Sequence, residues 1–163
     1  MLARRPLRIG ITGHTTLSAA SIGLISDQLR ALLADQPDLV GVTCLARGAD
    51  QLFARAVLDL GGRIEVVLPA ADYRERKVKP GNLAEFDALL GAAATVRTMP
   101  FAESGSAAYM AASEQVLSTV DMLVAVWDGK PAGGHGGTAD VVQAARERAI
   151  PVTVVWPIGC ARE

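Results

Sequence analysis

The sequence has little that would tie it to a metal, a membrane or an oxidising compartment. Of its 163 residues, two are cysteine and two are histidine. Cys44 and Cys160 lack metal-ligand spacing, and His14 with His135 is too small a set for a metal centre. No metal and no cofactor is therefore expected. Cys44 falls in an apolar strand pattern and reads as a small buried hydrophobe. No apolar run approaches the about 20 residues that a membrane-spanning helix needs. Arg4, Arg5 and Arg8 lead straight into a strand pattern, with no long apolar segment and cleavage site behind them. No secretory leader is expected, and a reduced, cytoplasmic protein is the expectation. There is no internal repeat, no block of like charge and no low-complexity linker. The net charge of −1 offers no bulk attraction to nucleic acid or anionic membrane, so neither is expected as a partner.

Half of the residues are hydrophobic, and the surplus is mostly Ala, Val, Leu and Ile. That is the composition of a parallel sheet buried on both faces. Apolar runs at 7–12, 39–45, 63–68, 95–99, 122–127 and 150–156 read as six strands. Between them, helical spacing appears at about 21–35, from about 50 to 60, from 82 to about 90, at about 107–119 and at 138–148. Strands that alternate with helices define an α/β fold with a mostly parallel sheet of about six strands. The chain is expected to form one domain over 1–163. Residues 70–81, the most basic stretch, read as a solvated connection, or else as a lid offering Tyr73 to a base and Arg74 or Arg76 to a phosphate. The tail, 158–163, reads as frayed.

Three loops after strands carry the residues that suggest chemistry. The longest follows the fifth strand and reads DGKPAGGHGGTAD from Asp128 to Asp140. Glycines let the backbone approach an anion closely, and the helix that follows points free N–H groups and a positive dipole end at it. Gly133, Gly134, His135, Gly136, Gly137 and Thr138 are the candidate phosphate contacts here. Gly13, His14, Thr15 and Thr16 follow the first strand. Their hydroxyls suit either a ligand or the cap of the next helix. Arg47 and Gly48 follow the second strand, where a guanidinium suits a phosphate or a carboxylate. Asp50, two residues on, reads foremost as a helix N-cap. Ligands in such sheets bind beyond the carboxyl ends of the strands, where the winding reverses. If the first and fifth strands are neighbours, the loops at 13–18 and 128–138 face each other across one pocket.

The strand followed by GHT, the ARGAD at Ala46 to Asp50 and the GGHGGTADVV from Gly133 resemble the SLOG superfamily. That group contains the LOG phosphoribohydrolases, DNA-processing protein A and molybdenum cofactor carriers. The resemblance implies a Rossmann-like three-layer sandwich, a nucleotide-derived ligand over the strand ends, and a homodimer. The phosphoribohydrolase branch carries a PGGxGTxxE motif, whose glycines and threonine map onto Gly133 to Thr138. Its glutamate position falls on Val141. The carboxylate beside it, Asp140, is about 100° away on a helix. The arginine that precedes the motif in that branch has no counterpart at 107–112. The expected function is thus binding of a nucleotide or nucleotide-derived phosphate ligand, as sensor or carrier. The alternative is N-glycosidic cleavage with Asp140 as the catalytic carboxylate and His135 as a possible acid or base.

Overall fold

A computed structural model describes residues 5–131 and 137–162. Gly133, Gly134, His135 and Gly136 lie outside the described residues. The strands are β1 (Leu7–Gly13), β2 (Leu39–Thr43), β3 (Arg63–Leu68), β4 (Thr95–Thr98), β5 (Met122–Val126) and β6 (Val152–Val155). The helices are α1 (Ala19–Leu33), α2 (Ala49–Asp59), α3 (Tyr73–Lys77), α4 (Leu83–Ala92), α5 (Ser106–Leu117) and α6 (Thr138–Glu147). All strand pairs are parallel, in the order β4-β3-β2-β1-β5-β6. β1 therefore has β5 as a neighbour, with Gly13 in register with Val126. The winding reverses between these two strands, which leaves a crevice at their C-terminal ends.

Alternation along the strands sends side chains to two cores. Ile9, Ile11, Ile64, Val66 and Val124 meet Ile25, Leu29 and Leu33 of α1, Phe53 and Val57 of α2, and Phe86 and Leu89 of α4. On the other face Val40, Val42 and Val67 meet Ala112 and Val116 of α5, while Leu123 meets Val141 and Ala145 of α6. Helix α1 starts as its sequence directs: Ser18 Oγ accepts from the Ser21 N–H at 3.3 Å, which satisfies one orphan donor of the first turn. At the N-terminal edge of the sheet, Arg8 ties β1 to β3 through paired bonds to Glu65 (2.6 and 3.1 Å) and donates from Nε to the Thr119 carbonyl. The far edge is left open for a site.

Two segments differ from expectation. Residues 70–81 are not a loose connection, and Tyr73 is not held out on a lid. They form α3 and a 3-10 turn at Pro80–Asn82, and the Tyr73 ring is buried against Phe86 and Tyr109. Arg74 makes a two-pronged bond to Asp87 of α4 (2.7 and 2.8 Å), which holds it away from the strand ends. A mostly apolar ring with one polar atom gains more by covering the sheet edge than by standing in water. The tail is not frayed either. Arg162 bridges Leu17 in antiparallel fashion. Ala161 accepts from the Ser18 N–H (3.1 Å) and exchanges two bonds with the buried Ser21 hydroxyl, its N–H donating at 2.7 Å and its carbonyl accepting at 3.1 Å. The start of α1 thus offers polar groups that a short tail can satisfy.

Candidate functional site

The end of β1 is built to bring three elements close. A Cβ on Gly13 would stand 2.5 Å from Ala49 Cβ and 2.8 Å from Val126 Cβ, so no other residue fits without a shift of α2 or β5. Gly48 has φ of +85°, and a Cβ there would meet the carbonyl oxygens of His14 and Thr15 at 2.7 and 2.8 Å. Both glycines serve close packing of the loops. The next residue, His14, is buried. Its N–H donates to the Val126 carbonyl and its own carbonyl accepts from the Ala49 N–H. Its Nε2 accepts from the Asp128 N–H at 3.1 Å, and the ring meets the Trp156 ring edge-on. Burial, and next the nearby Arg162, hold its pKa below the usual histidine value, against the opposing pull of Asp128. A neutral imidazole that accepts at Nε2 clamps β1 to β5 while its ring lines the crevice.

The crevice is a cleft of about 470 Å³. It gathers Gly13, His14, Thr15, Thr16 and Arg47 with Gly137 and Thr138. The loops after β1, β2 and β5 do converge. Gly48 sits just behind, on a smaller apolar hollow that shares Thr15, Arg47 and Asn82 with the cleft. Gly137, Thr138 and Ala139 put the N-terminus of α6 on the cleft wall. Val141 lines the cleft and is buried, and Asp140, one position earlier, is not among the lining residues.

Several cleft residues escaped the sequence reading. Lys77 and Lys79 come from the α3 segment, Lys130 from the loop after β5, and Arg162 from the tail. With Arg47 they make five basic side chains around one carboxylate, Asp50. None of the five lies within ion-pair distance of a carboxylate among the described residues, although Arg162 acts on Asp128 and Lys77 on Asp72 at longer range, whereas Arg5, Arg8, Arg30, Arg55 and Arg74 each make a close pair. Lys77 and Lys79 had a visible signal, the basic run itself. Arg162 had none, because only the folded tail brings it near.

Asp50 is not the N-cap expected of it. Gly48 holds that position, with no side-chain cap bond. Asp50 lies inside the first turn of α2 and reaches back to the end of β2. It accepts from Thr43 Oγ1 and from the Cys44 N–H, both at 3.2 Å, and from the Ala46 N–H. Burial raises its pKa to about 7, against the opposing hydrogen bonds. Cys44 beside it is half-buried, and burial pushes its thiol up as well.

No family model matches the sequence. No curated protein matches it either. Solved structures do match. DNA processing protein A from Streptococcus pneumoniae superposes with a TM-score of 0.68 at 15% identity, over 94% of this chain and 52% of its own. The chain thus spans about half the length of that protein. DNA processing protein A from Helicobacter pylori, described for its single-stranded DNA binding mode, gives 0.65 at 17% identity over 96% of this chain and 69% of its own. The molybdenum cofactor binding protein of the phototrophic bacterium Rippkaea orientalis gives 0.61 at 17%, over 93% and 77%. The fold is the Rossmann-like α/β fold that these structures share.

These likenesses correct one expectation. Nucleic acid was set aside as a partner on net charge, yet the H. pylori protein of this fold binds single-stranded DNA. The physical error lies in averaging. A net charge of −1 is a sum over the whole surface, while the cleft rim concentrates Arg47, Lys77, Lys79, Lys130 and Arg162. Local potential, not the sum, governs the approach of an anion. No described helix is long and apolar enough to cross a membrane.

Proposed function

We propose that the chain binds a nucleotide or nucleotide-derived phosphate ligand in the cleft at the C-terminal edge of the sheet, as a carrier or sensor. One observation carries this reading: five basic side chains, none within ion-pair distance of a carboxylate among the described residues, surround a cleft of about 470 Å³. Such a volume falls in the range of small-molecule sites, roughly 300–1,000 Å³. In this reading the phosphate lies between the α6 N-terminus, with Thr138, and the rim cations Arg47 and Arg162. Thr15 and Thr16 donate hydroxyls from the β1 side. The flat part of the ligand lies toward Tyr109 and Trp127, which line the same cleft. The alternative of N-glycosidic cleavage by Asp140 draws no support from the lining, where Val141 stands instead.

The test is a thermal-shift and titration panel of nucleoside monophosphates, ADP-ribose, NAD and a short 5′-phosphorylated oligonucleotide, with base release followed in parallel. Stabilisation without base release, weakened about tenfold or more in Arg47→Ala/Arg162→Ala, is expected, since each lost charged bond is worth about 1.5–3 kcal/mol. Base release that vanishes in Asp140→Asn would replace this reading with the hydrolase.

A further inference from the structure

The cleft has a second pole that a phosphate does not use. Asp50 lines it but is buried, whereas the rim cations Arg47, Lys77, Lys79, Lys130 and Arg162 are exposed. Burial therefore ranks the cleft from a cationic rim to an acidic floor. The floor carboxylate has hydrogen-bond donors but no counter-charge. Its three donors, Thr43 Oγ1, the Cys44 N–H and the Ala46 N–H, are all neutral, and the Thr43 and Cys44 contacts are 3.2 Å. Charge-assisted N–H···O bonds run at about 2.7–2.9 Å. No lysine, arginine or histidine pairs with Asp50 among the described residues. A buried carboxylate with no counter-charge is costly, and turn-fixing bonds of this kind are made as well by a neutral Ser or Asn. The nearby amides are already engaged: Gln51 and Asn82 bond each other reciprocally at 2.9 Å. Tyr109 and Trp127 add flat apolar surface to the same cleft.

We infer that Asp50 is a recognition group for ring N–H donors, so that the ligand is a phosphorylated nitrogen heterocycle presenting an amino or lactam N–H edge, and not a sugar phosphate or polyphosphate. The inference rests on the phosphate-binding reading of the same cleft and names its ligand class. The phosphate sits among the rim cations, and the heterocycle runs inward between Tyr109 and Trp127 with its N–H edge against Asp50. The ionised carboxylate accepts more strongly than the neutral acid, which gains an O–H donor and keeps a weaker acceptor, so the N–H preference weakens as Asp50 protonates. Cys44 from the end of β2 and Tyr73 from α3 face Asp50, and burial raises the pKa of both, away from neutrality. The rim's Arg47, Lys77 and Lys79, and His14 beyond them, act alike on every phosphate compared and drop out of a ratio.

The experiment is calorimetric titration of the full chain at pH 6 and pH 8 with GMP, AMP, ribose 5-phosphate and purine ribonucleoside 5′-monophosphate, whose ring lacks N–H donors. At pH 8, GMP or AMP is expected to bind about tenfold or more tightly than the purine ribonucleotide, the worth of one charged hydrogen bond. That ratio falls several-fold at pH 6, where a carboxyl titrating near 7 is mostly protonated. In Asp50→Asn the ratio falls to within about threefold and loses its pH dependence, while ribose 5-phosphate binds as before. If the purine ribonucleotide binds as well as both N–H-bearing nucleotides, the inference is overturned and phosphate binding stands. A ratio in the wild type that does not change with pH overturns it without recourse to any variant. If no phosphate compound binds the wild type, the phosphate reading falls and this inference with it.

Discussion

Replacing Asp50 by asparagine should flatten the pH dependence of folding stability between pH 5 and pH 8. The carboxyl titrates near the usual aspartate value of 3.8 in the unfolded chain and at about 7 in the fold, chiefly because burial penalises the charge. Between those values the folded state holds more protons than the unfolded state, so stability falls as pH rises through the window. The whole effect is about 4 kcal/mol, present in full below pH 4 and lost above pH 7. Between pH 5 and pH 8 the loss is roughly 2–3 kcal/mol. Asparagine keeps a carbonyl oxygen for the Thr43 and Cys44 donors and removes the titration. The assay is urea unfolding of the wild type and Asp50→Asn at pH 5, 6, 7 and 8. The difference between the two should move by roughly 2–3 kcal/mol in the variant's favour from the lowest pH to the highest. Curves that stay parallel across the series would refute both the burial of this charge and the account of the cleft floor built on it.

Two further outcomes follow from packing. Gly13→Ala should cost about 1–3 kcal/mol, because the new methyl meets Ala49 and Val126 at 2.5 and 2.8 Å. A fall in Tm of several degrees checks it, and an unchanged Tm contradicts the three-way contact. Ser21→Ala should cost about 0.5–1.5 kcal/mol, since it removes the hydroxyl that bonds the Ala161 N–H and carbonyl. Hydrogen exchange at the amide of Ala161 should then rise well before exchange in the sheet does. Equal protection in both proteins would return the tail to the frayed state first expected of it.

Strands β1, β2 and β5 were legible because they are short apolar runs with most residues buried, so composition marks them, whereas β4, exposed at all four positions, was legible only from its place between helical patterns. The neighbouring places of β1 and β5 were legible only as a condition, since strand order is a tertiary fact. The site divides in the same way. Gly13, Thr15, Thr16, Arg47, Gly137 and Thr138 could be named because they stand directly after strands, at the edge where ligands collect. Arg162 could not, since the tail reaches the cleft through bonds made far away in sequence, such as Ala161 to Ser21, and Lys79 was marked only by the basic run around it. Asp50 was misassigned because a carboxylate near a helix start satisfies the capping pattern whichever way it turns. Its direction is set by Thr43 and Cys44, which offer donors behind it. Tyr73 was misjudged for a related reason. A polar neighbourhood in sequence said nothing of Phe86 and Tyr109, which bury it.

The central claim is that the cleft at the ends of β1, β2 and β5 holds a phosphate. The most direct measurement is the affinity of the full chain for a nucleoside monophosphate, in the wild type and in Arg47→Ala/Arg162→Ala. The account predicts saturable binding that weakens about tenfold or more in the variant, with the fold intact by circular dichroism. Equal affinity in the two proteins, or no binding of any phosphate compound to the wild type, would contradict it.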